Sequence, residues 1–157
     1  MIELTRRFLV QAAIAAAFYG RWAARPSVAA EEGNAATPRV AIQGYDPVAY
    51  FTDGRAVKGS AAFSLPFDEA VYYFANVEHQ KMFAADPDRY APQFSGYCAA
   101  GLSMGVKVEA DPEAWVISDG KLYVFYSKNG SSRFADDDPA GMIAKARANW
   151  TTLKGQR

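Results

Sequence analysis

A single cysteine and a single histidine stand among the 157 residues. One thiol excludes an internal disulfide and any metal cluster built from cysteine alone. One histidine leaves no Ser-His-Asp arrangement beyond chance. An excess of one charge is also missing, because 17 Lys and Arg offset 17 Asp and Glu, and with it goes the electrostatic footprint of a nucleic-acid binder. No apolar run reaches the ~20 residues a helix needs to cross a bilayer. There is no P-loop and no Gly-x-Gly-x-x-Gly turn after a strand. Internal repeats and low-complexity tracts are not visible either. What is present, 50% hydrophobic and 22% charged residues, is the composition of one folded domain.

The charge balance hides an asymmetry. In the first thirty residues Arg6, Arg7, Arg21 and Arg25 face only Glu3, so the remainder of the chain is mildly acidic. Arg6-Arg7 directly precedes the moderately apolar, alanine-rich run Phe8–Gly20, and Ser27-Val28-Ala29-Ala30 supplies small residues for a signal peptidase. The paired arginines, the weak hydrophobicity and the later Arg21 and Arg25 predict a twin-arginine signal peptide over residues 1–30. The expected partner of the precursor is the twin-arginine export machinery, with cleavage near Ala30 and a periplasmic mature chain. Residues 31–39 then read as a flexible leader.

The rest predicts an α+β fold, a small antiparallel sheet from two hairpins packed by two or three helices. Asp46-Pro47 reads as an N-cap and first helical position, opening a short helix over 48–52. Residues 62–65 and 71–74 make one expected hairpin. Asn76 caps a helix from Val77 to about Ala85, stopped by Asp86-Pro87. A second hairpin turns at Asp119-Gly120 between 115–118 and 121–126. Asp138-Pro139 opens a last helix with Met142, Ile143, Ala146, Trp150 and Leu153 at helical spacing. Asp46, Asp86 and Asp111, each before a proline, read first as caps or turn residues.

Three segments together resemble the YHS domain in the form found in exported bacterial proteins. They are Gly44-Tyr45-Asp46-Pro47-Val48-Ala49-Tyr50-Phe51, then Tyr72-Tyr73-Phe74-Ala75-Asn76 with Phe83 and Asp86-Pro87-Asp88-Arg89-Tyr90, then Gly96-Tyr97-Cys98-Ala99 with Asp119-Gly120-Lys121-Leu122-Tyr123. The resemblance covers residues 40–153. It implies a non-enzymatic binding protein. Metal-associated members of that family carry cysteines where this chain has Ala49, Ala75 and His79, so the family's thiolate cluster is lacking.

The donors that remain are His79 and Cys98, with Met104 six residues after the cysteine and Met82 three after the histidine. Soft sulfur with one imidazole suits copper, Cu(I) above all, or another transition metal. Against this stand the ordinary roles: a helix histidine packing on Phe83, a small buried thiol and methionine as core filler. Eight tyrosines (45, 50, 72, 73, 90, 97, 123 and 126) are enough to line a pocket, or to place rings in the core with hydroxyls at its edge. The leading expectation is an exported periplasmic YHS-type binding protein, with a transition metal such as copper held through Cys98 and His79, and Met104 as a further ligand. Two alternatives stay open: a thiol-dependent enzyme or redox protein using Cys98, and a module that docks an envelope protein partner without any ligand.

Overall fold

The computed structural model describes residues 38–136 and 138–156. The expected signal peptide lies outside the described residues, as does the leader up to residue 37. The described residues form an α+β fold, with two small sheets and six α-helices. Strand β1 (Arg39–Val40) runs parallel to β3 (Ala70–Phe74), which pairs antiparallel with β2 (Ser60–Phe67). Strands β4 (Asp111–Ser118) and β5 (Lys121–Phe125) form the second sheet, an antiparallel hairpin. Thus each expected hairpin belongs to a sheet of its own. Pro66 lies within β2, which is tolerated because β2 is an edge strand and proline lacks a ladder donor.

Helix α2 (Val77–Ala85) begins where Asn76 accepts from the His79 amide, and α6 (Pro139–Leu153) where Asp138 accepts from that of Gly141. Both starts carry the side-chain cap that satisfies an otherwise orphaned N–H. Helix α3 (Pro87–Tyr90) follows an Asp86 cap on Arg89 and has proline in its first turn. Helices α1 (Ala49–Thr52), α4 (Ala99–Ser103) and α5 (Lys128–Asp136) complete the set. Among the described residues no helix is long and apolar enough to cross a membrane.

No repeat is visible in the sequence, yet two stretches of the fold are built alike. A tight left-handed turn at Ala41–Gly44, with Ile42 at φ 47 and Gln43 at φ 50, recurs at Gln93–Gly96, with Phe94 at φ 57 and Ser95 at φ 52. Each turn ends in a glycine at φ 78 or 79, a region that disfavours a Cβ. Tyr45 and Tyr97 follow, each in an isolated antiparallel bridge, to Lys58 and Glu109. Then come a short helix (α1, α4), a hairpin and another helix. The hairpin strands are 8 and 5 residues long in both halves, and the closing helices α2 and α5 are 9 residues each. Even the turn aspartates match, Asp68 at φ 53 and Asp119 at φ 50. In sequence the two turns share little more than Gly44-Tyr45 and Gly96-Tyr97.

The apolar residues form two clusters with β5 between them. Leu122 and Val124 join the first, with Ile42, Tyr50, Tyr72, Phe74 and Phe83. Tyr123 and Phe125 join the second, with Phe94, Cys98, Leu102 and Phe134. Alternate residues of one strand therefore serve opposite faces, and β5 is apolar from Leu122 to Phe125 because both faces are covered there.

Candidate functional site

Asp46 is the most heavily used polar side chain. It is fully buried. Its Oδ1 accepts from the amides of Val48 at 2.8 Å and Ala49 at 3.4 Å. Its Oδ2 accepts from the Ala75 amide at 2.8 Å and meets His79 Nδ1 at 2.7 Å. With three backbone donors already on it, the carboxylate is the acceptor, so Nδ1 carries the hydrogen. Asp46 thus joins the start of α1, the end of β3 and the first turn of α2. That a buried carboxylate is tolerated follows from the number of its partners.

The ring of His79 is held by that contact, with its side chain 13% exposed. Its Nε2 lies 3.5 Å from Thr52 Oγ1. The Thr52 hydroxyl has one proton and two better acceptors, Asp53 Oδ1 at 2.8 Å and the Val48 carbonyl at 3.2 Å. The order Asp46, His79, Thr52 imitates a nucleophile triad, but the hydroxyl proton is directed away from the imidazole. A general base needs that proton within its reach.

Cys98 occupies the place of Asp46 in the second half. It follows the Gly-Tyr of the second turn as Asp46 follows that of the first. Its Sγ accepts from the Gly101 amide at 3.3 Å and the Tyr126 amide at 3.2 Å. Tyr126 directly follows β5 as Ala75 directly follows β3. Sulfur and carboxylate therefore perform the same task, fixing a short helix to the end of the second hairpin strand. The thiol is 3% exposed, which restricts the access that an attacking or metal-binding thiolate requires.

The expected metal ligands make separate contacts. His79 bonds within the first half and Cys98 within the second, and among the described residues no hydrogen bond joins them. Met104 ends α4 and is 75% exposed, whereas Met82 packs partly buried against the first cluster. Among the described residues no group of three or more His, Cys, Asp or Glu is placed to hold a metal ion.

Tyr50 donates to the Pro112 carbonyl at 2.9 Å, and burial, reinforced by nearby Glu113, holds its phenol well above the usual range. Burial also raises Tyr123, against a partly compensating Arg147. Tyr72 differs from both, because its buried hydroxyl has no hydrogen-bond partner among the described residues.

Sequence reasoning missed Asp46 as the partner of His79, and no local signal could have supplied it, since the two are brought together only by tertiary structure. Compared with protein-family models, curated proteins and solved structures, the chain matches none.

Proposed function

We propose that this chain is an exported, non-enzymatic binding protein of the YHS-domain type, carried to the periplasm by the twin-arginine route. The export part rests on Arg6-Arg7 and the segment behind it, and the family part on the spaced Gly-Tyr-Asp-Pro, Tyr-Tyr-Phe and Asp-Pro motifs. The observation that carries the non-enzymatic part is the equivalence of Asp46 and Cys98. The only thiol and the partner of the only imidazole are both engaged in holding backbone amides. A thiol-dependent mechanism would need Cys98 released from that task.

The test is alkylation of Cys98 by iodoacetamide in the folded, exported protein. Protection until denaturation supports the reading, and labelling at pH 6 faster than a free model thiol overturns it in favour of a thiol enzyme.

A second reading, favoured by the 2.7 Å contact of His79 Nδ1 with Asp46, keeps a transition metal such as copper. Metal-bound histidines characteristically give their other nitrogen to a carboxylate, which aims the remaining lone pair outward. His79 Nδ1 meets Asp46 in that manner, and its Nε2 lies 3.5 Å from Thr52 Oγ1. Elemental analysis of the untagged exported protein decides this reading: a near-stoichiometric metal lost in His79→Ala sustains it, and a metal-free protein ends it.

A further inference from the structure

We propose that Asn129-Gly130 is a deamidation site that helix α5 holds closed and that local opening of α5 releases. The site is independent of the binding-protein reading and stands or falls without it.

An asparagine followed by glycine is unusually reactive, because no Cβ hinders the glycine nitrogen as it closes a five-membered ring on the side-chain amide. Asn76 and Asn149 are followed by the bulky Val77 and Trp150, and their side chains are engaged. Asn76 Oδ1 accepts from the His79 amide at 2.8 Å, and Asn149 Nδ2 donates to the Leu102 carbonyl at 2.8 Å. Asn129 is exposed and is followed by Gly130. The glycine has a packing reason of its own. A Cβ at position 130 would lie 3.3 Å from Phe125 Cβ, on the strand that both clusters share. The requirement for glycine there keeps the reactive pair in the chain.

In the reaction the Gly130 nitrogen gives its proton to solvent and bonds to Asn129 Cγ. The Cγ–Nδ2 bond breaks, and the amide nitrogen leaves as ammonia with a proton from water. Water then opens the cyclic imide. Attack at the side-chain carbonyl leaves aspartate at residue 129, and attack at the main-chain carbonyl leaves isoaspartate. Nothing is oxidised or reduced.

In the folded chain the attacking nitrogen is occupied. The Gly130 N–H donates to the Ser127 carbonyl at 2.9 Å, and helical backbone at residue 129 keeps the nitrogen from Cγ. The lock is a weak one. The hydroxyls of Ser131 and Ser132 both donate to the Lys128 carbonyl, at 2.8 and 3.1 Å, a back-bonding that destabilises helices. Phe134 is the one large apolar side chain of α5 that anchors it in the core. Opening α5 alone is therefore enough to expose the pair. Isoaspartate adds a methylene to the main chain and bars the turn from closing again, so Phe134 loses its seat. Aspartate instead places a carboxylate in the first turn, where the helix dipole favours it.

The experiment is peptide mapping by mass spectrometry of the folded chain, incubated in mildly alkaline buffer across a urea series. Conversion is expected at residue 129 ahead of residues 76 and 149, and to quicken at urea concentrations where the circular dichroism is still native. Phe134→Ala is expected to convert at least about tenfold faster than the parent in buffer, because the rate follows the open fraction of α5. Phe134→Leu, a milder change, is also expected to convert faster, so an alanine variant that fails to fold leaves the test intact. Asn129→Gln is expected to abolish the event. No conversion in the fully unfolded chain overturns the proposal, as does first conversion at residue 76 or 149. Equal rates in folded and unfolded chains overturn it too, because α5 then holds nothing closed. A rate that rises only with global unfolding overturns the local opening on which the site depends.

Discussion

Asp46 and Cys98 hold equivalent places but are not equally costly to remove. Asp46→Ala deprives three backbone amides and one imidazole N–H of a charged acceptor in a water-free place. Each stranded buried donor costs about 1–3 kcal/mol, and bonds to charged groups lie toward the upper end. Cys98→Ala strands two amides whose acceptor was sulfur, a weak one. Asp46→Ala is therefore expected to destabilise by about 3 kcal/mol or more, and Cys98→Ala by about 1–2 kcal/mol. Urea unfolding of both variants checks the order. Equal losses would mean that the carboxylate's charge adds nothing to its geometry. His79→Ala tests the other side of the contact. It leaves Asp46 its backbone donors, so its loss is expected to be smaller than that of Asp46→Ala, by the same measurement. His79 itself was legible as a singular residue in the sequence, and its place on a helix capped by Asn76 was legible too. Its partner was not, because a carboxylate read locally as a cap gives no sign of the imidazole that folding brings to it.

Among the elements, those with covalent or local punctuation were the readable ones. Helix α2 spans the residues expected of it because Asn76 caps it and Pro87 stops it, and neither effect needs tertiary structure. Helix α6 was announced by Asp138-Pro139 in the same way. Helix α5 was not, since Lys-Asn-Gly-Ser-Ser-Arg is poor in helix formers and carries one large apolar residue. That residue is Phe134, 1% exposed, with its ring centroid 5.3 Å from that of Tyr123 and 5.2 Å from that of Phe125. Packing decides the helix there. Phe134→Ala should then remove the reason for α5 along with the core contact, at a cost of about 3–5 kcal/mol. Hydrogen exchange is expected to show α5 amides losing protection before those of α2. Uniform protection across both helices would instead assign α5 to its own propensity. A backbone contact predicts a further failure: a Cβ on Gly59 would lie 2.6 Å from the carbonyl carbon of Tyr73. Because backbone cannot step aside cheaply, Gly59→Ala is expected to lower the melting temperature and loosen the pairing of the first sheet.

At the scale of the whole chain, the repeat explains why fold class was legible and architecture was not. Alternating apolar residues and turn signals identify hairpins wherever they occur, but they do not say that two hairpins stand in equivalent settings. That relation lies in paired left-handed turns, and Ile42-Gln43 gives no more warning of positive φ than Phe94-Ser95 does. The two halves also share a way of burying phenols, which makes stability depend on pH in a definite direction. Burial raises Tyr50, Tyr72 and Tyr123 above the ordinary value of 10.0. A raised folded value means that the unfolded chain releases these protons first, so the stabilisation is complete below about pH 10 and is lost as pH climbs beyond it. Unfolding by alkali is therefore expected to begin above about pH 10, with the tyrosinate absorbance of these three phenols and the loss of circular dichroism rising together as one cooperative step. If all the tyrosines ionised smoothly near their ordinary value while the dichroism stayed native, the phenols would have to be in contact with water. The double-sided burial of β5, on which both clusters depend, would then be wrong at Tyr123 and its neighbours. A split result is equally informative, because Tyr50 and Tyr72 belong to the first cluster and Tyr123 to the second. Early ionisation confined to one cluster would show that the halves unfold in turn, with β5 leaving one core while still paired to the other.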